Sequence, residues 1–123
     1  MWQVADEITD LATRAQARKV SLDEMGGASM TITNLGGIGG TAFTPIVNPP
    51  EIAILGITKT EIRPVWDGEA FQPVPMVPLD LSYDHRVVNG ADAARFMTSV
   101  SYRHLTLPTA HPGDVRVVAD VLK

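Results

Sequence analysis

Cysteine is absent from the 123 residues, which excludes disulfides, thiolate metal sites and a cysteine nucleophile. Basic charge is in short supply too: 10 lysines and arginines stand against 14 acids, for a net charge of -4. No basic block of the kind that tracks a phosphate backbone is present, so nucleic acid is not expected as a partner. No apolar run approaches the roughly 20 residues of a spanning helix, so no membrane partner is expected. Met1-Trp2-Gln3-Val4-Ala5-Asp6-Glu7 sets acids where a signal peptide carries basic residues. Internal repeats and low-complexity segments are also missing. What remains is 45% hydrophobic, the ordinary balance of a globular domain or part of one.

Val4, Ile8, Leu11, Ala12 and Ala15 recur at spacings of three and four, which predicts an amphipathic packing helix over residues 2–18. Ser21-Leu22-Asp23-Glu24 fits a capping box before a short turn that stops at Gly26-Gly27. Ser29 to Thr33 alternates and reads as a strand, running into the glycine-rich segment Asn34 to Gly40. Ile52 to Thr58 is continuously apolar, as in a strand buried on both faces. Glu61 to Val65 either continues it or pairs with the next segment. Asp67-Gly68 signals a hairpin returning near Phe71, and Met76 to Tyr83 reads as one further strand. A turn over Asp84 to Gly90 precedes a helix from Ala91. The fold class is α/β, a mixed sheet with flanking helices.

His85 ends an apolar strand and opens a turn, a place where side chains emerge from a rigid scaffold. Histidine also suits proton transfer near neutral pH. Position alone leaves open whether His85 acts or only bonds the neighbouring backbone.

Leu81-Ser82-Tyr83-Asp84-His85-Arg86-Val87-Val88-Asn89-Gly90 resembles the active-site signature of the dihydrolipoamide acyltransferases of 2-oxoacid dehydrogenase complexes. Thr31 to Gly36, Pro45 to Glu51, Ala53 to Gly56 and Pro64 to Gly68 resemble further family segments in family order. The resemblance implies a partial chloramphenicol-acetyltransferase-like, coenzyme A-dependent acyltransferase fold, with residues 1–98 as the C-terminal half of the catalytic domain. It also implies acyl transfer between dihydrolipoamide and coenzyme A, with coenzyme A as substrate, the lipoyl group on a domain outside this chain, and no metal. His85 becomes the base that deprotonates the attacking thiol, whose ordinary pKa of about 8–9 leaves little thiolate at pH 7. Thr33 stands where the family has a serine and becomes the hydroxyl donor to the oxyanion, an interaction typically worth about 3–4 kcal/mol. Asn89 replaces the commoner aspartate and joins the catalytic set. Asp84 and Arg86 are expected to brace the turn, and Gly90 to supply positive φ or a close backbone approach. Gly36 and Gly37 are expected beside the coenzyme A channel; the loop lacks a P-loop lysine and the dinucleotide spacing.

The segment from Gly39 to Glu51 looks most like the pyruvate-type acetyltransferases; the alternative is a succinyltransferase of a 2-oxoglutarate complex. The implied partners are a homotrimer or larger core, the lipoyl domain, and the decarboxylase and dihydrolipoamide dehydrogenase components. His85 and Thr33 are expected to meet across a subunit interface, so that a lone monomer is inactive, and as half of a catalytic domain this chain is expected to be inactive alone. The implied location is the bacterial cytoplasm. Residues 99–123 depart from the family pattern and read as a foreign tail, so His104 and His111 are not taken as ligands. Asp114 to Leu122 suits a strand or a short helix. Two further readings stay open: an acetyltransferase with a hydroxyl acceptor, and a non-catalytic piece of a trimeric core.

Overall fold

The computed structural model describes residues 2–105 and 115–120. Helix α1 spans Trp2–Gln16, a little short of the expected end. Arg18 takes φ 56°, and the Arg18 and Lys19 amides donate to the Ala15 and Arg14 carbonyls. That left-handed residue with its paired return bonds closes the helix before Lys19. The capping box forms: Ser21 N–H donates to Glu24 Oε2 at 3.0 Å. It leads only into a turn, which Arg14 ties back to α1 through Glu24. The amphipathic face of α1 was expected to pack, yet α1 buries none of its residues. Val4, Ile8 and Leu11 are exposed, so their packing partner is not among the described residues.

Strands β1 (Met30–Asn34), β2 (Ala53–Ile57), β5 (Leu79–Asp84) and β6 (Val115–Asp120) form a mixed sheet in the order β1-β2-β5-β6. β1 runs parallel to β2, β2 antiparallel to β5, and β5 parallel to β6. The continuous apolar run thus becomes an interior strand, flanked on both edges and largely buried. Strands β3 (Glu61–Trp66) and β4 (Phe71–Met76) form a separate hairpin. Its turn is closed by Asp67, whose Oδ1 accepts the Glu69 and Ala70 amides, with Gly68 at φ 111°. Trp66 and Phe71 meet edge to face at 5.1 Å across its end.

The strand expected from Met76 to Tyr83 is β5, which starts three residues later than expected. β4 ends at Met76 and β5 begins at Leu79. Pro78 between them has no N–H for a ladder, and its carbonyl instead accepts the Thr58 amide. Helix α2 spans Gly90–Leu105, passing through the point where the family pattern was expected to fail. β6 settles the strand-or-helix alternative for its segment as a strand. His111 lies outside the described residues, as does the side chain of His104.

Side chains alternate along each strand, and register partners share a face. One face carries Leu55, Leu81 and Tyr83, packed with Ala93 and Met97 of α2 into the core. The other carries Thr31, Thr33, Ile54, Gly56, Asp80 and Ser82. The segment after the glycine-rich loop covers that second face. Phe43 lies against Gly56, where an added Cβ would come within 2.7 Å of its ring.

Candidate active site

His85 follows the last residue of β5 and opens a three-residue turn. The turn exists because Asp84 organises it. Its backbone carbonyl accepts the Val87 and Val88 amides, and its carboxylate accepts the Arg86 amide at 3.0 Å. The Arg86 guanidinium completes the arrangement with bonds of 2.6 to 3.1 Å to both carboxylate oxygens. Asp84 is buried while Arg86 reaches solvent. The guanidinium bonds, followed by the Arg86 amide, hold the Asp84 carboxyl down at about 2, against the opposing effect of burial. The result is a fixed anionic brace directly before the imidazole.

His85 itself is exposed, and among the described residues it has no hydrogen-bond partner. Its ring lies 5.6 Å from that of Tyr83, tilted by 39°. Tyr83 is buried and faces α2. Beside it lies an apolar cavity of about 260 Å³ between the sheet and the start of α2, lined by Met30, Ala53, Leu81, Val88, Ala93 and Phe96 among others.

Asn89 is the N-cap of α2. Its Oδ1 accepts the Asp92 amide at 2.9 Å and its Nδ2 donates to Asp92 Oδ2 at 2.6 Å. Both ends of the amide are therefore engaged by the first helical turn. Gly90 departs from expectation in part. Its φ is not positive; it is the first residue of α2, where helical backbone suits any small residue. An added Cβ there would meet Tyr83 Oη at 3.5 Å, an ordinary contact.

Thr33 lies elsewhere. It is in register with Gly56 and, through it, with Asp80. β5 runs four residues beyond Asp80 before the His85 turn, so Thr33 lies about 13 Å along the strands and about 10 Å across them from the strand end that carries that turn. Within one copy the two residues stand apart. Beyond Thr33 the chain turns sharply: Gly36 N–H donates to Asn34 Oδ1 at 2.8 Å. A Cβ on Gly36 would crowd that oxygen at 3.0 Å and the Thr58 carbonyl at 3.4 Å, so a larger residue there would shift the Asn34 side chain. Around Gly37 an added Cβ would meet nothing within 4 Å.

The sequence reading passed over Tyr83 and the row formed by Gly56, Phe43 and Asp80. The period-two spacing of Tyr83 from His85 was a usable signal for the first. For the second no signal existed, because Phe43 reaches Gly56 only through the path of the loop. Among the described residues no three His, Cys, Asp or Glu side chains are grouped to hold a metal ion. No helix among them is long and apolar enough to cross a membrane.

Comparison with known proteins adds the family. The description 2-oxoacid dehydrogenases acyltransferase (catalytic domain) matches residues 1–110. The dihydrolipoyllysine-residue acetyltransferase component of the Pseudomonas aeruginosa pyruvate dehydrogenase complex is 64% identical over 94 residues, 76% of this chain and 17% of that protein. A crystal structure of Azotobacter vinelandii dihydrolipoamide acetyltransferase superposes with a TM-score of 0.76 at 60% identity, covering 80% of this chain and 40% of that one. The cubic core of a pyruvate dehydrogenase multienzyme complex gives 0.74 at 61% identity, covering 78% and 40%. The chain therefore spans well under half the length of these relatives.

Proposed function

The chain belongs to the 2-oxoacid dehydrogenase acyltransferase family, and from that premise we propose that it contributes both halves of an acetyltransferase centre, His85 from one copy and Thr33 from another. The substrates are coenzyme A and an acetylated dihydrolipoamide carried by a lipoyl domain. His85 takes the proton from the attacking thiol as its sulfur adds to the thioester carbonyl. The carbonyl oxygen becomes an oxyanion, to which the Thr33 hydroxyl donates. Collapse of the adduct breaks the original carbon–sulfur bond, and His85 returns the proton to the departing thiolate. The Asp84–Arg86 pair holds the turn, and Asn89 fixes the start of α2 behind it. Gly37 and the open loop after Thr33 give the substrate arm a path to that hydroxyl.

The observation that carries the reading is the placement of His85 at a braced strand end. Residue spacing supports it. The Azotobacter structure was determined to study the role of a serine, a histidine and an asparagine in catalysis, with the serine 52 positions before the histidine and the asparagine four after. Thr33, His85 and Asn89 repeat both intervals. Acetyl is favoured over succinyl because the relatives cited are acetyltransferase components of pyruvate dehydrogenase complexes. The cubic core among the solved relatives supports assembly into a trimer-based core. Within such a complex the decarboxylase and dihydrolipoamide dehydrogenase components are the expected partners. The reading rests on residues 1–98.

The test is acetyl transfer from acetyl-coenzyme A to dihydrolipoamide by the chain. His85→Ala should lower the rate by about 10²- to 10⁴-fold. An unchanged rate would remove the mechanism.

A further inference from the structure

We infer that Tyr83 is a positioning residue for the His85 imidazole, an inference that rests on reading His85 as the base. The imidazole lies beyond the end of β5, exposed, and no hydrogen bond among the described residues fixes its rotation. A base in that state would spend much of its time pointing away from the thiol it must deprotonate. The ring of Tyr83 is the contact that restrains it, 5.6 Å between centroids and tilted by 39°. His85 follows the last residue of β5, two positions after Tyr83, so the turn that Asp84 braces sets the imidazole beside the Tyr83 ring.

Tyr83 can restrain because it is itself held. It is 3% exposed and packs with Leu55, Leu81, Ala93 and Met97 in the core between sheet and helix. Its hydroxyl end reaches over the first residue of α2, 3.5 Å from where a Gly90 Cβ would sit. The ring therefore links three parts of the site: the strand that carries His85, the helix that Asn89 caps, and the imidazole. Its aromatic area, not its hydroxyl, makes the contact, so phenylalanine should serve in its place. Leucine and methionine fill similar volume but lack the flat ring.

The experiment is nuclear magnetic resonance of the full chain, with His85 assigned by loss of its signals in His85→Gln. Three-bond couplings should report a single χ1 rotamer for His85 in the parent chain, and its ring protons should be shifted upfield by the Tyr83 ring current. Tyr83→Phe should keep both. Tyr83→Leu and Tyr83→Met should lose the ring-current shift and average the rotamer. In the acetyl-transfer assay the same two variants should lose about tenfold or more in kcat, with KM for either thiol substrate changed by less than about twofold. A purely structural role would not average the rotamer in a folded variant. An averaged His85 rotamer in the parent chain overturns the inference, whether or not the ring-less variants fold. So does a single rotamer in either folded ring-less variant. Full activity of His85→Ala with these couplings intact would instead defeat the acetyltransferase reading and leave the contact standing.

Discussion

The base proposed at His85 is exposed and needs a backbone that does not move, and the residue that fixes it is Asp84. Its carboxyl is held at about 2 by Arg86, against an ordinary 3.8. The sign follows directly. The folded carboxylate keeps its charge where the unfolded one has begun to protonate. Its contribution to stability is therefore complete above pH 3.8 and is lost as the pH falls toward 2. Asp84→Asn should be less stable than the parent at neutral pH and should lose less stability between pH 4 and pH 2, as read by denaturant titration at each pH. Some acid sensitivity will persist, because Arg14 also holds Glu24 at about 2. Thr33 gives a second prediction. Thr33→Ser should keep the rate within a few-fold, whereas the isosteric Thr33→Val should lose about 10²- to 10³-fold in kcat. At this scale the sequence was informative wherever a motif fixed the role. His85 was legible as the polar end of an apolar strand, and Asp84 and Arg86 as its neighbours. The capping pair of Asn89 and Asp92 was present as an asparagine followed three residues on by an acid, and capping α2 is a role for Asn89 beside the catalytic one its motif implies.

Among the elements, α2 depends on Asn89 at its start. Asn89→Ala should cost about 1 kcal/mol of unfolding free energy. Asn89→Asp keeps the acceptor for the Asp92 amide but sets two carboxylates where Nδ2 and Oδ2 now lie 2.6 Å apart. It should gain stability on mild acidification, which the asparagine form should not. In the sheet, Gly56 is the close approach that matters. Gly56→Ala would force the Phe43 ring aside and should cost about 1–3 kcal/mol, measurable by thermal or denaturant unfolding. Elements with a strong local signal were read almost as they stand, including α1, β2 and the hairpin turn. The start of β5 was placed three residues early because Val77-Pro78 is apolar and continues the pattern, although Pro78 cannot donate to a ladder. The end of α2 was not legible in local pattern, because the residues after Thr98 are weak helix formers and the helix runs on against the sheet to Leu105.

Taken whole, the described residues expose more apolar surface than a self-sufficient domain would. Trp2 is 86% exposed, Ile62 74% and Phe71 68%, and the helix and hairpin that carry them bury little. Patches of this kind mark interaction surfaces. The chain should self-associate, with a sedimentation coefficient that rises with concentration and falls when Ile62 and Phe71 are both replaced by lysine. The sheet topology gives self-association a purpose on the proposed reading: it sets Thr33 level with the start of β5 and His85 just past its end, so the proposed centre draws on two copies. No reading of local pattern could establish that separation, since it comes from the pairing of β1 with β2 and of β2 with β5. The most direct measurement is complementation. His85→Ala and Thr33→Val chains, each inactive alone, are unfolded together, refolded as an equal mixture and assayed for acetyl transfer. If each centre takes one group from each of two copies, about a quarter of the centres in a mixed ring should be intact, and activity should return to about that fraction of the parent. A mixture that co-assembles and remains as inactive as either variant would contradict the account.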